Sequence, residues 1–418
     1  MTIKDWFLKF FFTPVSRGVV NVGFDFGTHS TKIVVRERDA RVGRVVRIDK
    51  DHEGYTPGVS PSVIRIENGR MWFGTTALTK TGGELLKSLK VAVAYNRNTT
   101  AGRSTEISCA KLVAIYMAWA LCGLRKAIQK DGYSRILLNV SAPMQRLENR
   151  VLKNQYLRMV QSAWLLSADD HANGIEQGMS VTKALQLLES VWTRPLVDEQ
   201  EREFDILPET IAPICSFAAD VASKAGIHVM LDMGAGSTEV SVLDVPEQGS
   251  GYKVLCYCDE SQLFGGNDLE LAASPNRLAD DVAEVHRKLT TFYGSVWARG
   301  FEKVKAEPVA RRRWKSVCIV LSGGATLNPG VRLHLEKEIV LRDYLTDEKH
   351  HRVHRHVPNN LAPLAEMQSS DLTIFAVANG LAVDRAKFTS FDPPDSLAPM
   401  EGPPQEEKTP EYWDCCSN

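Results

Sequence analysis

The hydrophobic positions of this chain follow two periods. Short glycine-punctuated runs rich in β-branched and aromatic residues predict strands at Val19–Phe26, Thr31–Arg36, Ser62–Ile66, Arg135–Val140, Val229–Asp232, Thr238–Leu243, Tyr252–Tyr257 and Val317–Leu321. Apolar residues spaced three to four apart predict helices over 104–130, 145–166, 180–193, 209–224, 279–304, 329–339 and 371–386. Strands and long helices interleave throughout, the pattern of an α/β architecture with layered sheets. The longest apolar run, Leu112 to Leu124, is shorter than the ~20 residues a bilayer-spanning helix needs, so no membrane span is expected.

An internal repeat is the most informative feature. Residues 22–35 (VGFDFGTHSTKIVV) laid over 229–242 (VMLDMGAGSTEVSV), an offset of 207, match at Val22/Val229, Asp25/Asp232, Gly27/Gly234, Ser30/Ser237, Thr31/Thr238 and Val35/Val242. Each copy reads as an apolar strand ending in Asp, a tight glycine turn rich in hydroxyls, and a second strand: a β-hairpin. The chain therefore reads as two related halves.

Composition and charge narrow the class. At 418 residues, 44% hydrophobic and 24% charged, the chain is long enough for one large or several ordinary folded domains. Fifty Lys plus Arg against 51 Asp plus Glu leave no global basic field, so nucleic acid is not an expected partner. The eight Cys show no CxxC pair and no zinc spacing, which predicts reduced, mostly buried thiols and a cytoplasmic protein. Cys256 and Cys258 are expected to be buried on one face of a strand. His350, His351, His354 and His356, mixed with Arg352 and Arg355, are expected to form a polar surface connection rather than a metal site. Residues 1–18 begin with an aromatic segment (Trp6, Phe7, Leu8, Phe10, Phe11, Phe12) that fits docking on a protein partner better than on lipid. The last 28 residues, 391–418, hold six prolines and several acids and read as a disordered tail.

The hairpins suggest phosphate chemistry. A phosphate approached by a hairpin tip needs backbone N–H groups with no Cβ in the way and hydroxyl donors beside them. Gly27 with Thr28, and Gly234 and Gly236 with Ser237 and Thr238, supply these. Asp25 and Asp232, at the two strand ends, are placed to hold a hydrated Mg²⁺ that phosphates also bind.

With these motifs the chain resembles the superfamily shared by actin, the sugar kinases and the ATPase domain of the 70-kDa heat-shock chaperones, over about residues 19–386. Residues 25–32, including His29, Ser30 and Lys32, resemble its first phosphate loop, and 232–238, including Ala235, its second. IVLSGGATLNPGV (Ile319–Val331) resembles the adenosine loop, with Gly323, Gly324 and Ala325 passing under base and ribose. FDILPETIAP resembles the segment that opens a helix with the acid orienting the attacking water, here Glu209. LFGGNDLE resembles the chaperones' glycine pair, here Gly265 and Gly266, and AVANG (Ala376–Gly380) their last helix. SPSVIRIENGRMWFGTTA (Ser60–Ala77) resembles a chaperone strand, turn and strand leading into a helix, and the following SLKVAVAY places Lys90 on the lysine that reaches the γ-phosphate. Lys32 instead sits where actin carries its lysine, seven residues after the first Asp. Glu284, Arg287 and Lys288 have the spacing of the chaperones' adenine-clasping helix.

The resemblance implies a two-lobed actin-like (ribonuclease H-like) α/β fold. Lobe I would cover 19–208, lobe II 209–370, and a terminal helix, 371–390, would return to lobe I. Lobe II would be shortened, because only 91 residues separate Asp232 from Gly323. No β-rich peptide-binding domain is expected after the last helix. The implied activity is slow hydrolysis of Mg-ATP to ADP, with Glu209, Asp25, Asp232 and Lys90 as catalytic residues, in a switch that acts on protein partners through the lobes, the aromatic segment or the tail. The alternative is a filament-forming actin-like protein. A sugar kinase would need a further acid over an acceptor hydroxyl, and none stands out.

Overall fold

The computed structural model describes residues 17–94, 96–99, 106–142, 149–168, 175–220, 225–245, 254–262, 264–266, 279–306, 317–329, 331–332 and 352–384. The aromatic segment up to residue 16, His350 and His351, Asp268 and Glu270, and the proline-rich tail lie outside them.

Two mixed sheets organise the chain. The first contains β1 (Arg17–Phe26), β2 (Ser30–Glu37), β3 (Gly43–Val45), β4 (Tyr133–Ala142) and β5 (Phe204–Pro208), in the order β5-β4-β1-β2-β3. Leu361–Ala362 extends it beyond β3, and Ser60–Pro61 pairs off β2. The second contains β6 (Gly226–Met233), β7 (Thr238–Val245), β8 (Leu255–Gln262), β9 (Cys318–Ser322) and β10 (Arg352–Arg355), in the order β8-β7-β6-β9-β10. Strand directions agree pair by pair. β1 and β2, β2 and β3, β6 and β7, and β7 and β8 are antiparallel, whereas β1 and β4, β4 and β5, β6 and β9, and β9 and β10 are parallel. The sequence repeat is thus the visible part of a repeated five-stranded topology.

Burial on both faces explains why the central strands read as near-continuous apolar runs. Val20, Val22 and Phe24 of β1 and Val229 and Leu231 of β6 are fully excluded from solvent. One core lies under α1 (Cys109–Ile128), α2 (Arg150–Leu166) and α3 (Val181–Trp192). α5 (Ala279–Ala306) covers the second sheet through Leu289, Phe292, Val296 and Val304. The helix starting at Cys109 is long and apolar enough to cross a bilayer by composition, but 67% of its apolar window is buried inside the protein. Its Tyr116 donates to the Pro61 carbonyl at 2.9 Å, a use of the hydroxyl that belongs to a packed interior.

A four-stranded sheet stands beside the first, ordered Met179–Ser180, Arg70–Phe73, Ile64–Glu67, Glu84–Leu86. The two central strands join at Asn68-Gly69, both at positive φ (50° and 70°), which suits the twist of a two-residue hairpin. The expected strand, turn, strand and helix between Ser60 and Ala77 are present.

Several predicted elements differ. The helix expected over 209–224 is α4 (Ile211–Ala218), which stops where Asp220 turns to accept the Asn359 backbone N–H at 3.0 Å. The helix expected over 371–386 begins as a 3-10 turn, Ser369–Phe375, closed by reciprocal Gln368 and Asp371 caps, and becomes α6 only over Ala376–Leu381. The described part of the histidine-rich segment is an edge strand, Arg352–Arg355, rather than a loop; His354 is exposed on it as expected, whereas His356 is buried at its end.

Candidate functional site

Both hairpin turns close with the same hydrogen bond. Gly27 N–H donates to the Ser30 carbonyl at 3.1 Å, and Gly234 N–H to the Ser237 carbonyl at 2.9 Å, equivalent positions of the repeat. The tips meet: a methyl group added to Gly236 would fall 2.9 Å from Thr28 Cγ2. Gly265 and Gly266 lie against the second turn, with Gly266 N–H donating to the Gly234 carbonyl at 2.8 Å and Thr238 Oγ1 to that of Phe264 at 2.6 Å. A Cβ on Gly265 would strike the Ala235 backbone at 2.7 Å, and one on Gly266 would strike Ala325 Cβ at 2.6 Å. Gly323 takes a left-handed φ of 87° and crosses the Met233 backbone too closely for any side chain. The first, second and third predicted loops and the Gly265-Gly266 pair thus form one glycine-lined assembly. His29 is exposed at the first tip and stacks flat on Tyr55, with ring centroids 4.9 Å apart.

Beneath the half-exposed tips lies a buried floor of charge. Asp25, Lys90, Glu209, Asp232 and Glu239 are all buried, with Lys32 close to them. Asp25 and Lys32 face each other across β1 and β2 and form an ion pair at 3.0 Å, with Ser141 Oγ donating to the other carboxylate oxygen at 3.3 Å. Lys90, on the short helix Leu89–Ala94, pairs with Glu209, whose backbone N–H is fixed to the Ala142 carbonyl at 2.9 Å. Burial lowers the Lys90 ammonium from its ordinary value, while Asp25, Glu239 and Asp232 oppose that effect.

Each lysine is committed to one carboxylate, which leaves two acids uncompensated. Asp232 and Glu239 face each other across β6 and β7. Burial, reinforced by neighbouring Asp25, raises Asp232 to about 6. Burial and the Asp232 charge raise Glu239 to about 8. Asp232 Oδ1 is enclosed without a hydrogen-bond partner, as is Ser322 Oγ on the adjacent strand β9, close enough to favour the ionised carboxylate but without bonding geometry. The partnerless Asp232 Oδ1, with the Asp25 carboxylate near enough to raise it, offers oxygen donors of the kind a hydrated Mg²⁺ takes, so these two residues fit that ion. Among the described residues no three His, Cys, Asp or Glu side chains converge as a metal cage.

Sequence reasoning missed Glu239, although the repeat contains the signal. At the same offset of 207, Lys32 stands over Glu239, so one hairpin pairs Asp with Lys and the other pairs Asp with Glu. Conversely, Glu284, Arg287 and Lys288 of α5 are not joined to the loops by any hydrogen bond or ion pair among the described residues. They pair with one another on an exposed face, Glu284 with Arg287 and, at 3.8 Å, with Lys288. Helical spacing alone accounts for that contact. Cys256 and Cys258 are buried as expected, and burial raises both thiols.

Compared with known proteins, the chain matches no protein-family model and no curated protein.

Proposed function

We propose that this protein binds Mg-ATP between its two hairpins and hydrolyses it slowly, as a nucleotide-dependent switch of the two-lobed type found in actin and the heat-shock chaperones. One observation carries the reading: two repeat-related glycine turns, closed by the same hydrogen bond, meet tip to tip over a buried floor of two lysines and four acids. The repeated five-stranded topology, with three antiparallel and two further parallel strands in each sheet, supports the ribonuclease H-like character of the two halves.

The residues divide the work by position. The turn amides and the Thr28 and Ser237 hydroxyls would cradle phosphate oxygens as fixed donors. Asp25 and Asp232 would hold the hydrated Mg²⁺, which neutralises phosphate charge when bound. Glu209, at the start of α4, would accept a proton from the attacking water or orient it, and Lys90 would stabilise charge on the transferring phosphoryl group. Lys90 and Glu209 pair with each other, because neither charge could stay buried alone. Lys32, drawn onto Asp25, lies below the first turn and offsets charge there.

Isothermal calorimetry with ATP, ADP and a non-hydrolysable analogue tests the reading. Binding at micromolar Kd or tighter is expected. Glu209→Gln should bind within about threefold of the parent while its single-turnover hydrolysis falls by about 100-fold or more, since the acid acts only on the water. A chain that binds none of the three nucleotides is not this kind of protein.

A further inference from the structure

The short helix α6 is wedged between the two sheets. A Cβ on Gly380 would fall 1.6 Å from the Ala212 carbonyl of α4, and one on Gly23 of β1 would fall 1.9 Å from the Ala378 carbonyl. α4 in turn packs on the second sheet, Ile214 and Phe217 lying with Met230, Leu243 and Val320. At this joint, where apolar packing would suffice, the chain buries a polar network centred on Asn379. Its carboxamide oxygen accepts from Arg36 Nη2 at 2.6 Å. Its nitrogen donates to Ser216 Oγ at 2.8 Å and to Asn360 Oδ1 at 2.9 Å. Ser216 therefore has its own proton for His356 Nε2, 2.9 Å away, and burial holds that imidazole neutral by lowering it to about 4.

Two features set this network apart from ordinary core polarity. Arg36 is buried, it donates to the Arg41 and Asn360 carbonyls and to the Asn379 amide rather than to a carboxylate, its Nε has no partner, and burial lowers its pKa to about 10. Burying a cation on neutral acceptors is costly, and a hydrophobic residue of similar volume would be cheaper. The network also sits on the elements that carry both halves of the candidate site. Arg36 lies on the same face of β2 as Lys32, four residues along, and Gly23 lies on the same face of β1 as Asp25. Ser216 belongs to the helix that starts two residues after Glu209.

We propose that Asn379 is a positioning residue for hydrolysis: through Arg36 on one side and Ser216 on the other, it fixes Glu209 relative to the Asp25–Lys32 hairpin. Its carboxamide provides an acceptor for Arg36 on one side and a donor for Ser216 on the other, which no apolar residue can do. The inference rests on the nucleotide reading of the site and deepens it by naming what holds the acid in place.

Single-turnover hydrolysis of Mg-ATP and calorimetric Kd are measured for the parent, Asn379→Ala, Ser216→Ala and Glu209→Gln, and for Asn379→Ala combined with Glu209→Gln. Asn379→Ala is expected to lose about tenfold or more in rate, as misplacement of a catalytic group does, with Kd within about threefold. Ser216→Ala, which cuts only the α4 arm, should lose less. In the Glu209→Gln background, Asn379→Ala should cost nothing further, because it acts through the missing acid. Equal fractional losses in both backgrounds, an unchanged rate, or loss of binding in step with rate would overturn the proposal. Should Asn379→Ala fail to fold, Ser216→Ala and Asn379→Asp, which keeps the Arg36 arm, decide the same comparison. Side-chain ¹⁵N NMR of Lys90 separates this claim from the nucleotide reading, since it needs no ligand. If Asn379 positions Glu209, the Lys90 ammonium resonance shifts in Asn379→Ala and Ser216→Ala, and an unmoved resonance overturns the proposal even if ATP binds.

Discussion

Asp232 and Glu239 sit opposite each other on β6 and β7, and two carboxyl groups in a dry site cannot both ionise without a cation between them. Glu239, raised from 4.5 to about 8, therefore keeps its proton at neutral pH. The linkage has a definite sign. A carboxyl whose pKa is higher in the fold than in the unfolded chain binds more protons when folded, so its contribution to stability is fullest below about 4.5 and is lost as pH rises through 8. Glu239→Gln, which keeps the shape and removes the titration, should leave the melting temperature at pH 5 nearly unchanged and raise it at pH 8.5, the stability difference there being on the order of a few kcal/mol at most. Thermal unfolding of both proteins across that range without nucleotide checks this; a parallel pair of curves would mean that the two acids are not competing for a proton. Excess Mg²⁺ should flatten the parent's slope, because a divalent ion replaces the proton.

At the level of elements, what could be read in the sequence was what the chain encodes locally. The hairpins were legible because β1 and β6 end in Asp, Gly and hydroxyl residues at fixed offsets, and the turn chemistry needs only those few neighbours. β3, β5 and β10 were not, since they run three to five residues and form by adding to an existing edge. β10 reads Arg-Val-His-Arg and owes its conformation to pairing with β9 rather than to hydrophobic alternation, which is why a polar connection was expected there. The boundary of α4 depends on a contact with Asn359, far along the chain, and no local signal encodes it. Glu239 stayed hidden for a related reason: its environment is defined by facing Asp232 across the strands, and a lone acid in a strand reads as a solvated one. Crossing geometry gives the sharpest test at this scale. The approach of Gly380 to the Ala212 carbonyl leaves no room for a side chain. Gly380→Val should therefore cost about 3 kcal/mol or more by overpacking, whereas Gly294→Ala on α5, with open space around it, should be neutral or slightly stabilising through helix propensity. Urea denaturation of both variants measures the contrast, and equal midpoints would show that α4 and α6 are not in contact.

For the whole molecule, the proposed function would make nucleotide a cross-link. One five-stranded sheet presents Asp25, Lys32 and the first turn, the other presents Asp232, Glu239 and the second, and they are joined below by the crossing of α4 and α6. A ligand touching both turns favours whichever orientation brings them together, and it shifts that balance by no more than its differential affinity for the two orientations. Mg-ATP should then stabilise the fold, and raise its melting temperature, with the logarithm of its concentration, by about 2.7 kcal/mol at a hundredfold excess over Kd, and should reduce the radius of gyration in solution scattering. Truncating the floor by Asp232→Ala should weaken Mg-dependent binding and abolish the compaction together, since cation and phosphates share that anchor. Compaction is expected in a monomer or small complex rather than through polymerisation. In the proposed reading the resemblances to chaperones at Ser60–Ala77, Gly265-Gly266 and α6 outnumber the one resemblance to actin, Lys32, and with Gly323 only 91 positions after Asp232 little surface would be left for stacking subunits end to end. Light scattering and negative-stain microscopy at tens of micromolar protein with excess Mg-ATP read this directly. Filaments that appear with ATP and disperse with ADP would make the protein a polymerising actin relative, with the same site timing assembly instead of partner release.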